Sequence, residues 1–300
     1  MRFEDCLRGT TTLTDGAWGT EFQKRGATLG ACADELNLTK PELVRQVAES
    51  YVQAGSRVIL TNTFRANRIG LSAYGLQEQV EAINRAAVKI SRQAAGDSAM
   101  VFASIGPSGK MLLTKEVDAQ QLRDVFSQQA RALAEECPDA ILIETMTDLA
   151  EARMAAFAAL ETRLPVVVSL VFDSGKIRDR TILGVTPEQA ATVLAGDGVH
   201  GIGANCGLGI RDFIPVCKRL AAATVLPIWI KPNAGLPEMI DGVAHYKTTP
   251  EEFANSAQEL VEAGATFLGG CCGTTPEFIC DLARQPAIHR LTSSATHSGH

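Results

Sequence analysis

The chain has no surplus of positive charge: 28 Lys and Arg stand against 34 Asp and Glu, a net charge of -6 over 300 residues. A surface of that balance has no basic reserve for nucleic-acid phosphates or an anionic bilayer, so neither nucleic acid nor membrane is expected as a partner. It also lacks any stretch near the roughly 18 uncharged apolar residues of a membrane span. The opening residues, MRFEDCLRGT, carry acid where a secretory leader would carry an apolar region. The expectation is a non-exported, cytoplasmic protein. Several catalytic signatures are missing as well. There is no Gly-x-Ser-x-Gly elbow and no phosphate loop, and Gly201-Ile202-Gly203 has no third glycine at the dinucleotide-binding offset. The histidines, at 200, 245, 289, 297 and 300, show no ligand spacing.

What the chain does have is 46% hydrophobic side chains and no linker-like change of composition. That excludes disorder and leaves room for one large core. Short apolar runs at 12–16, 58–63, 100–106, 140–145, 166–172, 201–206, 227–233 and 267–272 alternate with stretches of helical periodicity. Leu43, Val47 and Tyr51 form one such stripe, and Leu76, Val80, Ile83, Ala87 and Ile90 another. Strands apolar on both faces need cover on both faces, which a parallel sheet with crossover helices supplies. Thr39-Lys40-Pro41-Glu42, Thr186-Pro187-Glu188, Thr249-Pro250-Glu251 and Thr275-Pro276-Glu277 read as helix starts. Gly55 and Gly264, each after an Ala and before a run, read as helix C-caps. Eight such units predict a single (β/α)8 TIM barrel over 1–288, with a polar, disordered tail at 289–300. A doubly wound sheet is the rival, because periodicity does not show closure.

Eight cysteines remain to be explained. In a reducing compartment, clustered cysteines are metal ligands or catalytic groups more often than disulfides. Cys6, Cys32, Cys137, Cys217 and Cys280 read as ordinary thiols, with Cys137 and Cys217 inside helix-like stretches. Cys206 ends the sixth run, and Cys271 and Cys272 end the eighth. In a closed barrel those two ends lie close together on the carboxyl rim, where barrel enzymes build their sites. Adjacent residues of a regular strand face opposite ways. Both Cys271 and Cys272 could therefore serve one metal only where the strand breaks, which the surrounding glycines allow. Three thiolates with an open fourth position suit catalytic zinc, while a vicinal disulfide or two inert buried thiols fit the spacing equally well. Glu144, at the end of the apolar run 140–143, is a carboxylate that burial penalises unless it is paired, either with a substrate ammonium or in a structural salt bridge.

Asp15-Gly16-Ala17-Trp18-Gly19-Thr20, Thr61-Asn62-Thr63-Phe64, Ser104-Ile105-Gly106-Pro107, Ile143-Glu144-Thr145, Asn205-Cys206, Pro232-Asn233-Ala234-Gly235 and Gly269-Gly270-Cys271-Cys272-Gly273-Thr274-Thr275-Pro276 resemble the zinc-dependent homocysteine S-methyltransferase family. The resemblance runs from about Thr12 to Phe278. It is nearest to the homocysteine-binding barrel of cobalamin-dependent methionine synthase, since Ala33-Asp34-Glu35-Leu36-Asn37-Leu38 and Leu236-Pro237 also match. It implies Zn2+ on Cys206, Cys271 and Cys272, which are the catalytic residues, with Asn233 in the fourth position until substrate arrives. It further implies that Asp15, Gly16, Ser104 and Glu144 hold the amino-acid end of homocysteine. The implied reaction gives methionine, with methylcobalamin on a separate corrinoid protein as donor. Betaine, S-methylmethionine and S-adenosylmethionine are the alternative donors, and Arg65, after Phe64, opposes a cationic one. A different thiol acceptor and a non-enzymatic zinc- or redox-sensing barrel are the alternative functions. The basic loop 173–180 departs from the family pattern, as a solvated loop, a contact for an acidic partner or a replacement for a substrate contact.

Overall fold

In a computed structural model describing residues 3–7, 9–28, 30–240 and 243–289, each of the eight apolar runs contains or overlaps a strand. The strands are β1 (Thr12–Leu13), β2 (Val58–Leu60), β3 (Met100–Ile105), β4 (Ala140–Met146), β5 (Val166–Leu170), β6 (Gly201–Gly209) and β7 (Ile228–Asn233). A hairpin, β8 (Glu238–Ile240) and β9 (Val243–His245), intervenes before β10 (Ala265–Leu268). Eight strands form one parallel sheet in the order β1-β10-β7-β6-β5-β4-β3-β2. A parallel bridge from Thr14 to Val58, with Arg57 N donating to Leu13 O at 2.8 Å, joins the two ends. That closure makes the sheet a (β/α)8 barrel and rejects the doubly wound alternative.

Strands and helices form where side-chain chemistry predicts. β4 and β5 are dominated by Ile, Leu and Val and are buried on both faces. The helix Pro41–Ala54 buries Val44, Val47, Ala48 and Tyr51, with Leu43 at the edge of the stripe. Thr186 and Thr249 cap their helices through reciprocal bonds with Gln189 and Glu252. Two expected starts differ. Lys40, not Thr39, precedes the first helical residue Pro41, and Thr275 occupies the N-cap position without making a capping bond. Gly55 and Gly264 follow their helices at φ of 110° and 105°, as the C-cap reading requires. Cys137 lies beyond the helix Ala119–Ala134, exposed and at φ 52°, so it is a turn residue rather than a helical one.

Two apolar layers result. One lies between sheet and helices. The other fills the lower barrel, where Phe3, Phe102, Trp229 and Phe267 pack with ring centroids 5.3 to 6.0 Å apart. Such pairs add about 0.5–1.5 kcal/mol each beyond the area they bury. The last described element is the turn Pro286–His289, and residues 290–300 of the expected tail lie outside the described residues. No helix among the described residues is long and apolar enough to cross a membrane.

Candidate active site at the carboxyl rim

Side chains two residues apart on a strand share a face. Within the barrel this converts the apolar floor into a polar layer on four strands at once: Phe102 is followed by Ser104, Leu142 by Glu144, Val167 by Ser169 and Trp229 by Lys231. Asp15, just beyond β1, joins that layer. It is fully buried and accepts hydrogen bonds from Lys231 Nζ (2.5 Å), Trp18 Nε1 (2.7 Å) and Leu60 N (2.8 Å). Burial opposes the Lys231 ammonium, but Asp15 and Glu144 outweigh it and raise its pKa. Glu144 accepts from Ser104 Oγ at 2.5 Å. Its carboxyl is pushed up by burial, against the pull of Lys231.

The cysteines arrive by two breaks in regular structure. β6 bulges beside β7 between Cys206 and Gly209, and Cys206 takes φ 63° there. β10 ends at Leu268, earlier than the run 267–272 suggested, so both later cysteines lie in a turn. A Cβ on Gly269 would sit 2.0 Å from Thr14 Oγ1, just beyond β1, and one on Gly270 would sit 2.3 Å from Thr274 Oγ1 within the turn itself, so only glycine fits at either place. The turn is then tied down by its own amides: Gly270 N to Asp15 O (3.0 Å), Cys271 N to Pro232 O (2.7 Å) and Cys272 N to Asn233 Oδ1 (3.0 Å). In consequence the sulfurs of Cys206, Cys271 and Cys272 all lie within 4.8 Å of one another. Tetrahedral zinc with Zn–S of about 2.3 Å requires sulfurs roughly 3.8 Å apart, so the donor set fits. The neighbouring Cys271 and Cys272 thiols hold the Cys206 thiol well below its ordinary range, and their own are raised in return. Tyr246, after the β8–β9 hairpin, packs its ring on Gly273.

A cavity of about 460 Å³ opens beside these groups. Of the residues expected from sequence, Gly16, Ser104, Glu144, Cys206, Cys271 and Cys272 line it. Asp15 does not, because its carboxylate is consumed by Lys231. Asn233 is also set back from the cavity wall. Its Nδ2 donates to Gly207 O at 2.8 Å and its Oδ1 accepts from Cys272 N. Lys231 and Tyr246 were not among the residues expected from sequence, and Asn205 figured only in the Asn205-Cys206 motif, with no role of its own. A lysine inside the apolar run 227–233 was the available signal for the first. The loop 173–180 is not simply solvated: Asp179 is buried against Arg219, whose guanidinium also forks onto Glu188.

A parallel barrel with three thiols converging on a polar cavity at the carboxyl ends of its strands defines a TIM-barrel protein with a cluster of cysteines that could hold a metal ion. The homocysteine S-methyltransferase family model matches residues 12–285, and the chain belongs to that family. It is 28% identical to the methionine synthase of Mycobacterium tuberculosis over 298 residues, which cover 93% of this chain and 25% of that protein. Thus the chain spans about a quarter of the length of that curated relative. The metallated form of the homocysteine methyltransferase MmuM from Escherichia coli superposes with a TM-score of 0.79 at 25% identity, covering 94% of this chain and 99% of that one. Its oxidised form superposes equally well, covering 92% and 96%.

Proposed function

We propose that this chain transfers a methyl group to the sulfur of homocysteine, giving methionine, and that Cys206, Cys271 and Cys272 hold the zinc ion this requires. The observation that carries the reading is the convergence of those three sulfurs on the wall of a cavity that also presents Glu144 and Ser104. When bound, zinc supplies a partner that keeps a substrate thiol deprotonated at neutral pH, where a free thiol of pKa about 8.5 is only a few per cent ionised. Asn233, which bonds the backbone of Gly207 and of Cys272 beside the thiols, is the side chain that would complete the metal shell before substrate enters. In this reading Glu144 accepts the substrate ammonium, Ser104 orients Glu144, and Lys231 favours the ionised form of Glu144. Gly16 supplies close backbone approach. Asp15 acts through Lys231 rather than on the substrate. The homocysteine sulfur attacks the donor methyl, the donor departs with the bonding electron pair, and the thiol proton leaves to solvent.

For the donor, we assign methylcobalamin on a separate corrinoid protein that presents its methyl at the cavity mouth. Two observations support this. A space of about 460 Å³ is of the size that holds small ligands, so a corrin would have to stay outside. Arg65 in the wall opposes a cationic donor. The test is to load the chain with zinc, add homocysteine, and offer methylcobalamin on a corrinoid protein, S-methylmethionine, S-adenosylmethionine and betaine in turn, measuring methionine. Production of methionine from the first donor alone is expected. A zinc-loaded chain that releases no proton on homocysteine titration and makes no methionine with any donor would favour the sensing barrel instead.

A further inference from the structure

We infer that Asn205 is a positioning residue that fixes the carboxylate of Glu144 relative to the thiol cluster, so that the amino and thiol ends of one substrate are gripped at a set spacing. This deepens the homocysteine reading and rests on it. Asn205 is fully buried on β6, one residue before Cys206, and its amide is completely used. Oδ1 accepts from Thr145 N at 2.8 Å and from Ser169 Oγ at 2.6 Å. Nδ2 donates to Thr145 Oγ1 at 2.7 Å and faces Cys271 Sγ at 3.9 Å. Two acceptor sites and two donor hydrogens are all that an amide side chain has. Turning it over would set its nitrogen against the Thr145 N–H, so the network admits one orientation.

What it clasps matters more than the number of bonds. Thr145 stands at φ 62°, a left-handed conformation that a β-branched residue rarely adopts unaided. The register between β4 and β5 advances three residues, from Ile143 to Met146, against two, from Val168 to Leu170. The extra residue is a bulge at Glu144-Thr145, and bulges beside active sites re-aim side chains. Asn205 holds both the backbone and the hydroxyl of the bulged Thr145, and so sets the direction of Glu144. Its other hydrogen reaches Cys271, in the turn after β10 and two strands away from β6. One side chain thus touches both halves of the site without lining the cavity itself.

The two arms separate in a test. Zinc is titrated by chelator competition into metal-free wild type, Asn205→Ala, Thr145→Gly and the double variant, and homocysteine binding is then measured calorimetrically on the zinc-loaded chains. Asn205→Ala is expected to weaken zinc about 10-fold or more through the lost Cys271 contact, in the range seen when outer-shell partners of metal ligands are removed. It is expected to weaken homocysteine about 10-fold through the unclasped bulge, with KM rising more than kcat falls. Thr145→Gly in the double variant should recover most of the homocysteine loss, because glycine holds a positive φ without a clasp, and none of the zinc loss. Should Asn205→Ala fail to fold, Asn205→Asp keeps both acceptor contacts and loses both donors, and is expected to fold with weakened zinc and nearly normal homocysteine affinity. A variant within twofold of wild type in both titrations, or a homocysteine loss that Thr145→Gly leaves unchanged, would overturn the positioning role. Wild type that binds zinc but no homocysteine would overturn the functional reading instead, and the zinc comparison would still decide the Cys271 arm.

Discussion

The floor and the rim of this barrel are built from the same strands, separated by two residues of chain, and they follow opposite rules. At the floor, Trp229, Phe102, Phe267 and Phe3 pack ring on ring, and almost every contact is apolar. One pleat higher, Lys231, Glu144, Asp15 and Ser104 are as deeply buried but each has a named polar or charged partner. The floor gains stability from removing area from water. The rim spends part of that gain on buried charge, whose desolvation a good partner only partly offsets. At the rim, Thr145 and Cys206 both take positive φ, and the bulges there aim side chains into the cavity.

Substitutions on either side should therefore separate function from stability. The largest effect is expected at the cysteines: replacing Cys206, Cys271 or Cys272 by Ala should abolish stoichiometric zinc retention, measured by metal analysis, while the circular dichroism of the folded barrel is kept. Full retention by any of the three would remove that residue from the ligand set. At the floor, Trp229→Ala should lower unfolding free energy by about 3–5 kcal/mol in a denaturant titration, the usual cost of emptying a buried aromatic site. Zinc stoichiometry should survive in whatever fraction remains folded. Lys231→Met belongs to both regions. Stranding Asp15 without its cation should cost about 3–5 kcal/mol of stability, and the same variant should raise KM for homocysteine. A stable variant with normal kinetics would show that the two regions are less distinct than their chemistry implies.

Smaller effects sharpen the division. Glu144→Gln keeps volume and loses charge, and should raise KM for homocysteine by about 10-fold or more with little change in melting temperature, since hydrogen bonds to charged groups are worth about 1.5–3 kcal/mol. An unchanged KM would return Glu144 to a structural role. The remaining thiols provide the mildest test. Burial raises Cys217 to about 12 and Cys6 to about 11, so both stay protonated and shielded at pH 8. Iodoacetamide, followed by mass spectrometry, should label exposed Cys137 and half-buried Cys280 first and Cys217 last. Because Cys217 binds its proton more tightly folded than unfolded, its share of stability is present below pH 9 and declines as pH rises from 9 toward 12.

Much of the scaffold could be read without coordinates, since strand, helix and cap signals are local. The eight runs, the glycines after two helices and the threonines at 186 and 249 depend on neighbours only a few residues away. Boundaries were less accurate where a long-range contact ends a strand, as at Leu268, beyond which Gly269 passes against Thr14. Lys231 went unnoticed, and Asn205 received no role beyond its motif with Cys206, for a related reason: each lies in an apolar run, and periodicity does not tell the inside of a barrel from its outside. The expectation that Asp15 holds substrate came from the family resemblance, and its partner Lys231, 216 positions away, was no part of that reading.

From its own pattern the chain determined that parallel strands would alternate with helices, and that Cys206, Cys271 and Cys272 were its chemically unusual thiols. Tertiary structure decided whether those thiols meet, which carboxylate stays available and which is consumed by a buried lysine. Local propensity acts over a few residues and is written in the sequence. Closure of the barrel joins positions far apart in the chain, and burial sets the partners and charges of the groups it encloses.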